Sequence, residues 1–263
     1  MVLKPAKPPR APGYEAPAVQ KAFELLGMVA DSAEGLGISE LSSALGYSKG
    51  TIHGIVQALL KAGVLDQGPQ RKKLFLGPTI VELAFKSRSY QRTIRQAQPL
   101  LDQLRDRVGQ TVFLGMLSRS RVMIVAAAEA SNPLKISSPP GTSLPVLAGA
   151  LGKVFLAQLD DEEALQLIRS YGLARYTQKS ITDGQAYLQE LARVRRDGYA
   201  MDDEEYLPGV RAVALNLGHH RGLSLALWAV GFAGSMDRKH MPGIVREVLE
   251  TAEKLKASLH NEN

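Results

Sequence analysis

Apolar residues recur at helical spacing over residues 17–30, where Val19, Ala22, Phe23, Leu26 and Val29 make one stripe. Pro17 suits the first turn of that helix. A polar loop, DSAEGLG, separates it from a shorter period in ELSSALG, with Leu41, Ala44 and Leu45 on one face. Ser39 is the expected cap of this second helix and Gly46 its stop. A third stripe, Ile52, Ile55, Val56, Leu59 and Leu60, follows Ser48 as cap and ends at Gly63. Beyond it the period shortens. Val64-Leu65-Asp66 and LFLG flank the polar run GPQRKK and predict a hairpin.

After Pro78 the helical period returns in two helices, expected over 78–88 and 90–108. The first starts a stripe with Ile80, Leu83 and Ala84, and the second continues one with Leu100, Leu101, Leu104 and Val108. The remainder alternates strand-like and helix-like runs. TVFLGMLS and RVMIVAAAEA predict an antiparallel hairpin about a Ser-Arg-Ser turn, with a short strand expected near Leu134 to Ile136. ALGKVFLAQL and DEEALQLIRSYG read as helices, the latter after Asp160. Thr182 is the expected cap of DGQAYLQELARVRRDG, which Gly198 ends. YAMDDEEYLPG reads as an acidic loop. VRAVALNLG and GLSLALWAVG read as strands around a GHHR turn, and Asp237 opens a last helix. Strands interleaved with helices after an all-helical start make a two-domain α+β protein.

Two short helices separated by Gly46-Tyr47-Ser48 are a helix-turn-helix, and the hairpin behind them is a wing. The second helix of such a pair enters the major groove by its N-terminal polar face. That face carries Ser48, Lys49, Thr51, His53 and Gln57, whose ammonium, imidazole, hydroxyl and amide groups suit phosphates and base edges. Arg71, Lys72 and Lys73 of the wing suit a phosphate track. Gly50 and Gly54 lower helix stability. Two readings of them stay open, close approach to DNA or to the neighbouring helix. Lys86, Arg88, Arg92 and Arg95 are likewise either a DNA-facing or a solvated face. The helix at 78–88 is a candidate dimerisation element, since a symmetric dimer spaces two reading helices one turn of duplex apart over a palindromic operator.

Charge adds little to this picture. Nine Lys/Arg against six Asp/Glu leave residues 1–77 at +3, within a whole-chain net charge of +6. That mild excess makes dimerisation, more than one strongly basic surface, the expected source of affinity. The start, MVLKPAKPPRAPG, reads as a flexible basic, proline-rich arm over 1–16 in which Lys4, Lys7 and Arg10 suit a DNA backbone. It lacks the apolar core of a secretion signal. The sequence contains no cysteine, so disulfides, thiolate catalysis and cysteine-held metals are excluded. No apolar run is long enough to cross a membrane, and a cytoplasmic location is expected.

The segments ISELSSALGYSKGTIHGIVQALLKAGVL, LFLG, ALGKVFLA and DGYAMDDEEYLPGVRAVALNL, in this order, resemble the IclR family of bacterial transcriptional regulators. The resemblance covers residues 17–258. It implies a winged helix-turn-helix over 17–77, a linker helix region over 78–95 and a GAF-like effector-binding domain over 96–260. It also implies a homodimer or dimer of dimers on double-stranded DNA, a small organic effector, and repression in preference to activation. The effector positions it implies are Met116, Ala148, Gly149, Ala150, Leu151, Asp202, Ala212, Trp228 and Val230. The chain departs from the family where serine or cysteine is common, with apolar Ala212, Trp228 and Val230. Leu147 also replaces a frequent histidine, and Gly149 stands near a usual threonine or serine. An apolar or aromatic effector fits these departures.

Other chemistry is weaker. Gly152-Lys153 lacks the spaced glycines and the hydroxyl of a phosphate loop. Asp202 to Glu205, and His219 with His220, do not form a metal-ligand pattern, so neither metal nor cofactor is expected. No nucleophile, base and orienting group stand at catalytic spacing, so no enzyme is expected. A structural DNA-binding protein with a non-sensing C-terminal domain is the alternative, with an enzyme using the C-terminal cleft behind it.

Overall fold

The computed structural model describes residues 16–68, 72–118, 121–220 and 222–260. Most of the basic arm and Arg71 lie outside the described residues. The chain divides into two compact units between Gln91 and Arg92, inside the span expected to link the domains.

The first unit has helices α1 (Pro17–Ala30), α2 (Ile38–Leu45) and α3 (Lys49–Lys61), strands β1 (Leu65–Gln67) and β2 (Leu74–Leu76), and helix α4 (Pro78–Lys86). Leu25, Val29, Leu41, Ile52, Val56, Leu65 and Leu74 form its core. The inward stripe of α1 is therefore set by Leu25 and Val29. Val19 and Phe23, expected on that stripe, are 55% and 60% exposed. The turn between α2 and α3 relies on Gly46, whose φ of 71° ends α2 in the left-handed region. Tyr47 holds the turn, its hydroxyl donating to Glu24 Oε2 at 2.7 Å. Strands β1 and β2 pair antiparallel, and Leu36 adds a backbone bridge to Leu74.

The second unit opens within helix α5 (Arg88–Val108). There follow β3 (Thr111–Ser118), β4 (Arg121–Ala128), β5 (Ser143–Pro145), α6 (Gly149–Leu156), α7 (Asp161–Tyr171), α8 (Gly184–Asp197), β6 (Ala200–Asp203), β7 (Val210–His220), β8 (Leu223–Phe232) and α9 (Met241–His260). Its sheet is ordered β5-β4-β3-β8-β7-β6, with every pairing antiparallel. Residues of α6, α7 and α8, among them Val154, Phe155, Ile168 and Leu191, share one core with Phe113, Ile124, Ala214 and Trp228 of the sheet. Helix α9 lies along β7 and β8. It is tied to α5 by Arg107, whose Nη2 donates to Thr251 Oγ1 at 3.0 Å.

Several local expectations are corrected. Ser39 does not cap α2. Gly37 takes that position, and its N–H donates to Glu40 Oε2 at 2.6 Å. Asp183 caps α8 in place of Thr182, accepting from the Ala186 N–H at 2.8 Å. Asp237 closes a turn by accepting from the Lys239 and His240 N–H groups, and α9 starts at Met241. The short strand lies at Ser143–Pro145, not at Leu134 to Ile136. Part of the acidic segment is a strand, because β6 finds a partner in β7. The expected GHHR turn is shorter, since β7 runs through His219 and His220.

Candidate functional site

Two sets of residues carry chemistry, one in each unit. In the first, Ser48 caps α3, its Oγ accepting from the Thr51 N–H at 3.1 Å and lying 2.9 Å from Thr51 Oγ1. Both hydroxyls are thus partly engaged in starting the helix. Lys49, His53 and Gln57 are exposed. Their spacing of four residues sets them along one side of α3. Beside them, a Cβ at Gly54 would meet no atom within 4 Å, and one at Gly50 only Ser48 Oγ at 3.8 Å. Among the described residues, nothing packs closely enough on either position to require glycine.

Lys72 is exposed, whereas Lys73 donates to both oxygens of Glu40 at 2.8 Å. The Lys73 hydrogen bond, aided by the Gly37 N–H, holds the Glu40 carboxyl below its ordinary range. This exposed pair stabilises little, but it orients the base of the wing on α2. Helix α4 buries none of its residues, leaving Val81, Leu83 and Phe85 at 55%, 58% and 70% exposure. Such an apolar stretch is the mark of an interaction surface.

In the second unit a cavity of about 100 Å³ lies between the sheet, the start of α6 and the segment after β6. Ala148, Ala150, Leu151, Asp202, Ala212, Trp228 and Val230, all expected from sequence, line it. Met116 does not. Gly115 lies against the Trp228 ring, and strand alternation turns Met116 to the other face. Gly149 acts behind the wall, against Asp202. Phe113, Ile124, Ile136, Ser138, Leu144, Tyr206, Leu207, Val210 and Ala214 complete the lining. Phe113 and Val210 were legible as apolar strand residues. Ile136 and Ser138 belong to a loop whose path has no period to read.

The walls are apolar except at Ser138, Asp202 and Tyr206. Asp202 Oδ1 accepts from the Glu205 N–H at 2.6 Å and from the Tyr206 N–H at 3.4 Å. Its Oδ2 stands over the start of α6, where a Cβ on residue 149 would be 2.0 Å away. Burial pushes the Asp202 carboxyl up, against the lowering effects of the Glu205 N–H and Lys153. Asp203, the next residue, points to the other side. Its Oδ1 takes Arg211 Nε at 2.5 Å and its Oδ2 takes Lys179 Nζ at 3.4 Å. The Arg211 hydrogen bond, ahead of all else, holds Asp203 low. A cavity with one carboxylate oxygen, one phenol and one hydroxyl in an apolar shell can orient a small organic guest. Among the described residues no three His, Asp or Glu side chains gather as a metal site.

The profile described as the IclR helix-turn-helix domain matches residues 18–69. That described as bacterial transcriptional regulator IclR C-terminal matches residues 87–257. The chain is 32% identical over 199 residues to the HTH-type transcriptional regulator BhcR of Paracoccus denitrificans, covering 75% of this chain and 70% of that one. It is 32% identical over 209 residues to XynR of Escherichia coli, covering 80% and 83%. The crystal structure of an IclR transcriptional regulator from Alicyclobacillus acidocaldarius superposes with a TM-score of 0.79 at 26% identity, over 93% of this chain and 99% of the other.

Proposed function

The chain belongs to the IclR family of bacterial transcriptional regulators, and from that premise we propose how its two sites divide the work. It is a sequence-specific DNA-binding regulator, not an enzyme, and its family works under small-molecule control. In our reading α3 is the reading helix of a winged helix-turn-helix spanning 17–77. Lys49 meets phosphate, and His53 and Gln57 reach base edges. Ser48 and Thr51 contribute what their capping leaves free, while Lys72 follows the backbone from the wing. Lys73 serves the wing through Glu40 more than the duplex. The region 78–95 links the domains, and the apolar side of α4 joins two copies over a palindromic operator, as a dimer or a dimer of dimers.

The C-terminal part, 96–260 on our reading and GAF-like, senses an apolar or aromatic molecule in the cavity beside Trp228, and repression is the output. The observation that carries this is Asp202, which lines the cavity among apolar side chains while its Oδ1 is anchored on the Glu205 and Tyr206 N–H groups. A guest with a hydroxyl or other donor suits that carboxyl. The small volume favours a compact guest, below the roughly 300–1,000 Å³ of drug-sized pockets.

A thermal-shift screen of aliphatic and aromatic carboxylates and phenols tests the reading, followed by binding to an operator selected from random duplexes. An aromatic hit should raise the melting temperature, change the fluorescence of Trp228 and alter operator affinity. A hit that stabilises the protein and leaves operator affinity unchanged would count against regulation through this cavity.

A further inference from the structure

Lys153 lies in α6 just beyond the residues that line the cavity, and its side chain is 1% exposed. A buried ammonium is unfavourable unless charge and hydrogen bonds compensate it. Here Nζ donates to the Met201 carbonyl at 2.8 Å and to Glu205 Oε1 at 2.5 Å, with Glu190 Oε2 of α8 at 3.9 Å. The two near partners bracket Asp202 in sequence. Glu205 closes the ring, since its own N–H donates to Asp202 Oδ1. Tyr206 and Leu207, which follow directly, wall the cavity.

The Tyr187 hydroxyl is buried and has no hydrogen-bond partner, and a Cβ on Gly152 would come within 2.5 Å of it. On its outer side the segment is held separately, by Ser180 Oγ donating to the Glu205 carbonyl at 2.7 Å and Thr177 Oγ1 to the Glu204 carbonyl at 2.8 Å.

We propose that Lys153 is a positioning residue for effector binding: it clamps Met201 and Glu205 so that Asp202 keeps its place in the cavity wall and the 204–207 segment stays closed over the cavity. The inference rests on the reading of the cavity as the effector site. Lys153 acts through Asp202 and does not itself line the cavity. Release of the clamp opens the wall formed by Tyr206 and Leu207.

The test uses the full chain without ligand. Lys153→Met removes the clamp, and Lys153→Met with Glu205→Gln removes it without leaving the Glu205 carboxylate unpaired. Hydrogen exchange should quicken by about tenfold in residues 201–209 and stay unchanged in β3, β4 and β8, the pattern of a local opening. Quenching of Trp228, the single tryptophan, by acrylamide should rise by about twofold as the cavity opens. Wild-type exchange and quenching in the double variant would overturn the assignment. So would uniform acceleration across the whole unit, which is what a merely structural lysine gives. Because no ligand enters the test, failure here leaves the effector reading standing, and failure of the metabolite screen leaves this clamp standing.

Discussion

Oδ2 of Asp202 sits where the Cβ of any larger residue at Gly149 would go, 2.0 Å from the ideal position. Gly149 also has a φ of 51°, in the left-handed region that costs other residues roughly 1–2 kcal/mol. Gly149→Ala should therefore destabilise the protein by about 2 kcal/mol or more from backbone strain and overlap with Asp202. In Gly149→Ala with Asp202→Ala the overlap term disappears while the backbone term stays. A double-mutant cycle by urea unfolding should give a coupling of about 1 kcal/mol or more. Additive losses would refute the contact.

Asp202→Asn should separate stability from sensing. Burial raises the carboxyls of both Asp202 and Glu205. The folded chain thus holds their protons more tightly than the unfolded chain. Their contribution is fully present below the ordinary carboxylate range and is lost as pH rises through the raised values. Asp203 and Glu204 are held low, so their contribution is present above the ordinary range and is lost as pH falls through the lowered values. The asparagine variant should be more stable than wild type near neutral pH. That gain should vanish at low pH, and the response of Trp228 to an effector should weaken. Urea titrations across the carboxylate range check this, and a pH-independent difference would contradict it.

Lys49→Ala should weaken binding to specific and random duplex alike and reduce the salt slope by about 1, the signature of one lost phosphate contact. Fluorescence anisotropy over a salt series measures it. Unchanged affinity for both duplexes would remove Lys49 from the interface.

Gly54→Ala should move stability and affinity in opposite directions. A methyl at this position meets nothing in the fold, so the helix should gain roughly 0.5–1 kcal/mol. Operator affinity should fall if DNA comes close to this backbone. A more stable variant with undiminished affinity would show that the glycine is not there for the duplex.

Phe85→Glu should dissociate the dimer that we propose α4 forms without unfolding the protomer, because the ring is 70% exposed. Sedimentation velocity reports the mass and circular dichroism the fold. A dimer that persists would place the interface elsewhere.

The helical period located α1, α3, α4 and α5 closely, because each has an apolar stripe or a strong end signal in its own residues. Its errors have physical causes. In α1 the helical period runs through Val19 and Phe23, but Leu25 and Val29 take the core, and hydrophobicity does not say which apolar face finds a partner. Ser39 and Thr182 are chemically good caps, yet Glu40 and Asp183 do the bonding. Strand β6 is too polar to announce itself, and it exists because β7 offers an edge. Seven of the nine expected cavity residues line it, and all were reached through family resemblance. Ile136, Tyr206 and Leu207 escaped because loop paths leave no period. The role of Lys153 was equally hidden, since its partners lie 48 and 52 residues away.

Strand β6 is a four-residue edge that carries two adjacent aspartates. Cross-strand register sets Asp202 opposite Ala212 and Asp203 opposite Arg211. One carboxylate is consumed by two cations, and its neighbour lines the cavity that we propose takes the effector. Parity alone separates them, for a slip of one residue exchanges the faces of every side chain on a strand. The proposed effector site is therefore encoded in an offset as well as in residue types, with the Asp203–Arg211 pair as the pin that keeps the count. A one-residue insertion or deletion at the Met201 end of β6 would trade the open acid for the occupied one without altering which acids the chain contains.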